Sequence, residues 1–311
     1  MVTSPSETSS PLLGLSNSLA AAVENVGRAT VAVNARRHTS SSGVHWRPGV
    51  IVTADHTLER EEGVTVTLPD GRTVPATVAG RDSGSDLAVL RVEGVDLPQV
   101  EIADGDALKV GHIVLAVARP GETGLHASMG AISAVGGAWR TWSGGQIDQL
   151  VRPDLTLYPG FSGGPLVDAQ GRVAGINTSG LSRSMTLTIP ASTVNRVVEQ
   201  LLTKGRIARG YLGLGLQRVR VPDNLKTSLN LAGNDGLIVV SVETGGPGDK
   251  AGIMVGDILV SLSGKSVANT DDVQALLGPD QVGSAIDVQI IRGGALTEAQ
   301  VTVGERPRRG E

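Results

Sequence analysis

One serine in this chain sits among three glycines, in Gly160-Phe161-Ser162-Gly163-Gly164 within YPGFSGGPLVD (158–168). Acyl transfer through a serine needs an exposed Oγ, with backbone N–H groups beside it to hold the developing oxyanion. Side chains at the flanking positions would block a substrate carbonyl, and glycine removes them. The same segment also reads as a Gly-rich turn carrying an incidental serine.

Such a serine needs a base. The five histidines, His38, His45, His56, His112 and His126, all precede Ser162. The segment fits G-x-S-x-G, the nucleophile elbow of α/β-hydrolases, but there the acid and histidine follow the serine. That order is impossible here. His56 ends the apolar run GVIVTADH, and a strand end is a rigid mount facing a cleft. His112 opens HIVLAVA and reads as a strand-edge residue, while His38, His45 and His126 lie in polar stretches and read as solvated. The third member should be a carboxylate that fixes the imidazole tautomer. Asp86 precedes the apolar strand LAVLRV, so its side chain can point inward beneath the histidine; a strand-entry Asx-turn is the competing reading. Asp70, Asp82 and Asp104 read as solvated turn residues. Only Asp55 and N-terminal glutamates lie upstream of His56, so an acid–His–Ser order is hard to build. The order His56…Asp86…Ser162 is the one used by chymotrypsin-like barrels.

The elements around these residues suit that choice. Ten short strand-like segments between Ala29 and Pro190, separated by Gly- and Asp-rich turns, favour a β-barrel or sandwich. Residues 16–27 (SNSLAAAVENVG) read as a helix between a Ser cap and a Gly stop. In 191–205, Val194, Val197, Val198, Leu201 and Leu202 form one helical stripe that ends at Gly205. The expected organisation is a disordered segment 1–13, a protease-like β domain 14–204, a linker 205–210, an α+β module 211–305 and a polar tail 306–311. The net charge of −4 over 311 residues argues against a polybasic nucleic-acid or membrane-surface protein. With no cysteine, disulfides and thiolate chemistry are excluded. No HExxH motif or phosphate-binding Gly-Lys-Ser/Thr loop is present, and no cofactor is expected. No run approaches the ~20 apolar residues of a membrane span. The start lacks the basic and apolar regions of an export signal, so the expectation is a soluble, cytoplasmic protein. A cell-envelope or periplasmic protein is the alternative if the chain has been shortened.

TADH (53–56), SDLAVLRV (85–92), GFSGGPLV (160–167), GINTSG (175–180) and TLTIP (186–190) together resemble the HtrA/Deg family of serine proteases. RGYLGLGL (209–216) and DKAGIMVGDILVSLSGKSV (249–267) resemble that family's PDZ domain. The resemblance implies a chymotrypsin-like double β-barrel followed by a smaller α+β PDZ domain. It also implies ATP-independent cleavage of unfolded or damaged proteins, for quality control. His56 is then the base, Asp86 its orienter and Ser162 the nucleophile, with the N–H groups of Gly160 and Ser162 as the oxyanion hole. Tyr211, Leu212, Gly213 and Leu214 would bind C-terminal peptides, and Val273, Leu276 and Leu277 would face the groove or the core. Leu155, Leu157 and residues 184–188 would wall a pocket for small aliphatic side chains. Trp139, Arg140 and Trp142 are candidates for a regulatory surface. A homotrimer is the expected assembly. The alternative is a peptide-binding chaperone with a silent site, produced by a flipped Gly160–Phe161 peptide. Three positions depart from the family's usual pattern: Phe161 replaces asparagine, Tyr158 begins the usual Asn-Pro-Gly, and Asp55 stands in TADH.

Overall fold

The computed structural model describes residues 10–37, 39–104, 108–121, 124–182, 184–278 and 281–306. His38, residues 1–9 of the N-terminal segment and residues 307–311 of the tail lie outside the described residues. After Ile207 the chain divides into two compact units.

The first unit opens with α1 (Pro11–Gly27). The helix expected from residue 16 therefore begins five residues earlier, and 11–13 are helical rather than disordered. Proline suits a first helical turn because its missing N–H has no partner to lose there. Leu12, Leu13 and Leu15 are exposed, so they give no inward stripe; Ala22 and Val26 are buried further along.

Six strands follow: β1 (Thr30–Asn34), β2 (Ser41–Arg47), β3 (Val50–Ala54), β4 (Thr65–Thr67), β5 (Thr73–Asp82) and β6 (Leu87–Val92). They close into a barrel in the order β1-β2-β3-β6-β5-β4. Next come β7 (Ile113–Ala118), β8 (His126–Gly136), the small hairpin β9 (Trp139–Arg140) and β10 (Gln146–Ile147), then β11 (Leu150–Asp154), β12 (Pro165–Asp168), β13 (Val173–Thr178) and β14 (Leu187–Pro190). The second barrel runs β11-β14-β13-β12-β7-β8, and β14 leads directly into α2 (Ala191–Lys204). Gly205 ends α2 in the left-handed region, as expected of a C-terminal glycine stop.

Val31, Val33, Ile51 and Leu90 fill the first barrel. On the opposite strand faces, Val44, Val52, Leu87 and Val89 join Leu115, Val117, Val167 and Ile176 of the second barrel and the stripe of α2 in one shared core. Strands at this junction are buried on both faces, which is why β3 and β13 carry apolar runs without alternation.

Beyond the helix start, one strand and two polar residues in this unit differ from what the sequence suggests. β2, SSGVHWR, has no strand-like composition, yet it pairs with both β1 and β3. His45 within it is 3% exposed, with Nδ1 2.9 Å from the Pro98 carbonyl, so it is a core histidine and not a solvated one. Asp82 is likewise buried: its Oδ2 accepts the Ser85 hydroxyl at 2.5 Å and the Ser85 N–H at 3.0 Å. Ser85, three residues on, satisfies Asp82, whereas His45 gains one acceptor from a residue distant in sequence and its buried Nε2 has no partner among the described residues.

The second unit comprises β15 (Gly210–Tyr211), β16 (Leu214–Arg220), α3 (Asp223–Ser228), β17 (Asp235–Val242), α4 (Pro247–Lys250), β18 (Ile258–Leu262), β19 (Lys265–Ser266), α5 (Thr270–Leu276), β20 (Ala285–Arg292), β21 (Ala295–Thr302) and β22 (Gly304–Glu305). Its main sheet runs β16-β17-β18-β20-β21, so β16 is an edge strand, and α5 packs beside it. α5 is started by a capping box between Asn269 and Asp272. Val273 and Leu277 are buried in the core, and Leu276 packs against it.

A fork between Arg292 and Asp257 ties β20 to the turn before β18, with Nε–Oδ1 2.8 Å and Nη2–Oδ2 2.7 Å. The guanidinium, with help from the Met254 N–H, holds the Asp257 carboxyl below its ordinary 3.8 against the opposing effect of burial. A depressed folded-state pKa contributes stability that is present above 3.8 and is lost as the pH falls through the folded value. Asp257→Asn should cost about 1–3 kcal/mol at neutral pH, a range discounted because Arg292 is partly exposed. Denaturant unfolding of the second unit should also lose part of its acid dependence below pH 4; an unchanged midpoint at pH 7 would refute the assignment.

Candidate active site

The end of β3 passes into a single 3₁₀ turn, Asp55–Thr57, which lifts His56 off the strand. Its imidazole Nδ1 lies 2.8 Å from Asp86 Oδ2 and 3.0 Å from Oδ1, and the His56 N–H donates to Oδ1 at 2.8 Å. Thr178 Oγ1, at the end of β13, donates to the same Asp86 Oδ2. Asp86 is 4% exposed, and four donor contacts converge on its carboxylate. Its backbone φ of 57° is in the left-handed region, a conformation aspartate tolerates better than most residues. The turn that carries it is held by the Asp82–Ser85 bonds and by Thr141 Oγ1, which donates to the Gly84 carbonyl at 2.7 Å. The loop bearing Trp139 and Trp142 is thereby anchored on the Asp86 turn, while Trp142 itself is almost fully exposed.

Ser162 comes from the second barrel. A turn closes before it through Phe161 N–H to Tyr158 O at 3.0 Å, with Gly160 at φ 88°. The Gly160 carbonyl is turned toward Ser42 Oγ at 2.7 Å, and the Ser162 carbonyl accepts the Ser42 N–H at 3.1 Å. Gly163 and Gly164 donate to Asn177 O and Phe161 O. By contrast, the N–H groups of Gly160 and Ser162 donate to no protein acceptor among the described residues. Side chains at 160, 163 and 164 would run into Pro120, the Ser42 carbonyl and the Val117 carbonyl. Phe161 is buried in the second barrel's core with its ring edge on Tyr158, so the loop is anchored by apolar packing. Leu155 and Leu157 pack against the same cluster, and Thr186 Oγ1 donates to the Leu155 carbonyl at 3.3 Å.

The hydroxyl of Ser162 meets Ser179 Oγ at 3.1 Å, and Ser179 Oγ lies 3.4 Å from His56 Nε2. Gly180 is required beside them: a Cβ there would lie 2.5 Å from Asp86 Oδ2 and 2.6 Å from His56 Nδ1. Thr178, Ser179 and Gly180 were legible only as part of GINTSG, with no role attached. Asp55, the departure in TADH, is buried and paired to Arg81 Nε at 2.6 Å. Burial pushes its carboxyl up from the ordinary value, opposed by Arg81 and reinforced by Asp86 and Asp82. Arg81 also donates to the carbonyls of Asp55 and Leu58, so this pair braces the turn that presents His56.

His112 stands just before β7, and His126 is exposed at the start of β8. Asp70 is exposed and accepts Arg72 within its own hairpin, and Asp104 is exposed. Among the described residues no group of three or more His, Asp or Glu is placed to hold a metal ion. No described helix is long and apolar enough to cross a membrane.

In the second unit, Leu212 is buried and Gly213 has φ 70°. Their carbonyls accept Gly248 N–H and Glu243 N–H, while their own N–H groups donate to no protein acceptor among the described residues. Tyr211 donates its hydroxyl to Glu243 Oε2 at 2.6 Å.

Comparison with known proteins agrees with both units. Residues 41–176 match the trypsin-like peptidase domain and residues 210–303 the PDZ domain. A "Probable periplasmic serine endoprotease DegP-like" of Ectopseudomonas mendocina is 34% identical over 268 residues, 85% of this chain and 56% of the relative. One of the same name from Chlamydia pneumoniae is 33% identical over 268 residues, 84% of this chain and 54% of that protein. The chain thus spans about half the length of the curated relatives it matches. Among solved structures, the HtrA-type protease AlgW with a decapeptide superimposes at TM-score 0.73 and 26% identity, covering 94% of this chain and 99% of that one. The serine endoprotease from Yersinia pestis does so at TM-score 0.73 and 29% identity, covering 92% and 97%. The relatives' periplasmic names overturn the cytoplasmic expectation, which rested on the missing export signal, an absence that carries no information about compartment. With two six-stranded barrels followed by a PDZ domain, and with relatives and structures of one kind matching across both, this chain belongs to the HtrA/Deg family of serine proteases.

Proposed function

We propose that the protein is a periplasmic or cell-envelope serine endopeptidase that hydrolyses unfolded or damaged proteins without ATP. The observation that carries this reading is the convergence of His56 and Asp86 from one barrel with Ser162 from the other, beside two unpaired N–H groups. His56 receives the Ser162 proton as Oγ attacks the peptide carbonyl, then delivers it to the leaving amine; water cleaves the resulting acyl-enzyme. Asp86 holds Nδ1–H and stabilises the imidazolium. The N–H groups of Gly160 and Ser162 receive the oxyanion. The silent-site alternative gains no support, because the Gly160 carbonyl accepts from Ser42 Oγ, the Phe161 N–H donates to Tyr158, and the N–H groups of Gly160 and Ser162 have no protein acceptor among the described residues.

The apolar surroundings of Leu155 and Leu157 favour small aliphatic side chains in the primary pocket. Free N–H groups at Leu212 and Gly213, beside the open edge of β16, suit capture of a C-terminal carboxylate with the peptide added as a strand. Leu212 and Gly213, between Tyr211 at the end of β15 and Leu214 at the start of β16, form that loop, which would tether a substrate tail or regulate cleavage. The exposed leucines of α1 support assembly as a trimer through the N-terminal segment. Peptidase residues 14–204 and PDZ residues 211–305 are then joined through 205–210.

Digestion of reduced casein, together with labelling of the protein by a tagged diaryl phosphonate, tests this reading. Casein should be cleaved without ATP, and the phosphonate should attach at Ser162. Intact casein and no phosphonate adduct would refute it.

A further inference from the structure

The proton arrangement on the His56 ring follows from Asp86. A carboxylate only accepts, so the proton of the neutral His56 ring lies on Nδ1, and Nε2 is an acceptor. Ser179 Oγ lies 3.4 Å from Nε2, a long contact in which only Ser179 can donate. In its shorter 3.1 Å contact with Ser162 Oγ either hydroxyl can donate. The Ser179 N–H is also directed at Ser162 Oγ, at 3.4 Å. Among the described residues Ser162 makes no hydrogen bond to His56. The nucleophile is thus held twice by Ser179 and is not bonded to the base.

We propose that Ser179 is a positioning residue that tethers Ser162 in a resting arrangement, so that acylation requires the Ser162–Ser179 bond to be exchanged for a Ser162–His56 bond. After the exchange, the Ser162 O–H bond breaks toward Nε2 and the Oγ–carbon bond forms. The carbonyl electron pair moves onto the oxygen facing Gly160 and Ser162. A relay through Ser179 is disfavoured by its longer leg: 3.4 Å to Nε2 exceeds the usual 2.6–3.2 Å reach of a general base. The inference rests on the serine-protease reading of the site.

Losing a tether of one ordinary hydrogen bond should speed acylation about three- to tenfold. The test compares wild type, Ser179→Ala, Ser179→Gly and Ser179→Thr in phosphonate labelling rate, and in kcat and KM on a chromogenic peptide. Alanine and glycine should both label faster and raise kcat with KM unchanged, while threonine, which keeps the hydroxyl, should lack the gain. Alanine and glycine variants that label and turn over at the wild-type rate would overturn the tether. Slower rates would overturn it in favour of a relay. If no variant and no wild-type protein were labelled, the protease reading itself would fall, and the inference with it.

Discussion

Replacing Ser162 with alanine is expected to lower peptide hydrolysis by on the order of 10⁶ in kcat, about 8 kcal/mol of transition-state stabilisation. The effect is this large because Ser162 supplies the attacking oxygen itself, and the acyl-enzyme cannot form without it. The fold should survive. The Ser162 backbone carbonyl still accepts the Ser42 N–H, and Gly163 still donates to Asn177. The lost Oγ leaves only the solvent-accessible Ser179 groups without that partner, a cost of about 1 kcal/mol or less. Casein digestion should therefore stop while the unfolding midpoint moves by at most a few degrees. An alanine variant that digests casein at the wild-type rate would remove Ser162 from the mechanism.

The parts of this site that could be read without coordinates are those whose chemistry is written in residue type. A serine among glycines, a histidine ending an apolar run and an aspartate opening the next one each announce a role through local context. The chain order of the three then excludes competing arrangements. What stayed hidden depends on pairings distant in sequence. Ser42 reaches the Gly160 carbonyl across more than a hundred residues, and nothing in SSGVHWR marks it as a strand, still less as the brace of the turn before Ser162. Thr141 on Gly84 is similar: only the folded hairpin places that hydroxyl under the Asp86 turn. His45 and Asp82 were misread because polar residues in polar-looking stretches default to solvent, whereas Ser85 lets Asp82 be buried and the Pro98 carbonyl, distant in sequence, holds one ring nitrogen of His45. Asp55 looked interchangeable with alanine. Its pairing with Arg81 makes it part of the mount for His56. Barrel architecture was legible because strand length and turn spacing are local, but closure and strand order are not.

Asp86→Asn is the second substitution with a large expected effect, and the backbone makes it a clean one. Asparagine accepts the left-handed φ of 57° as readily as aspartate, so the turn held by Asp82, Ser85 and Thr141 need not move. The chemistry changes instead. Thr178 Oγ1 donates to Oδ2 and the His56 N–H to Oδ1, so the single amide oxygen keeps only one of these partners and the –NH₂ group takes the other position, within reach of His56 Nδ1. That group donates, so Nδ1 must accept and the ring proton moves to Nε2. An imidazole protonated at Nε2 cannot take the Ser162 proton, and the imidazolium loses the negative charge that stabilised it. A comparable change in a Ser-His-Asp protease lowers kcat by about 10⁴, and a loss of that order is expected here. Steady-state hydrolysis of a peptide amide should record it as a fall in kcat with little change in KM. Nitrogen-15 spectra of the His56 ring should report the proton on Nε2 in the variant and on Nδ1 in the wild type. A variant within tenfold of wild-type kcat, or one with Nδ1 still protonated, would mean that Asp86 does not set the tautomer.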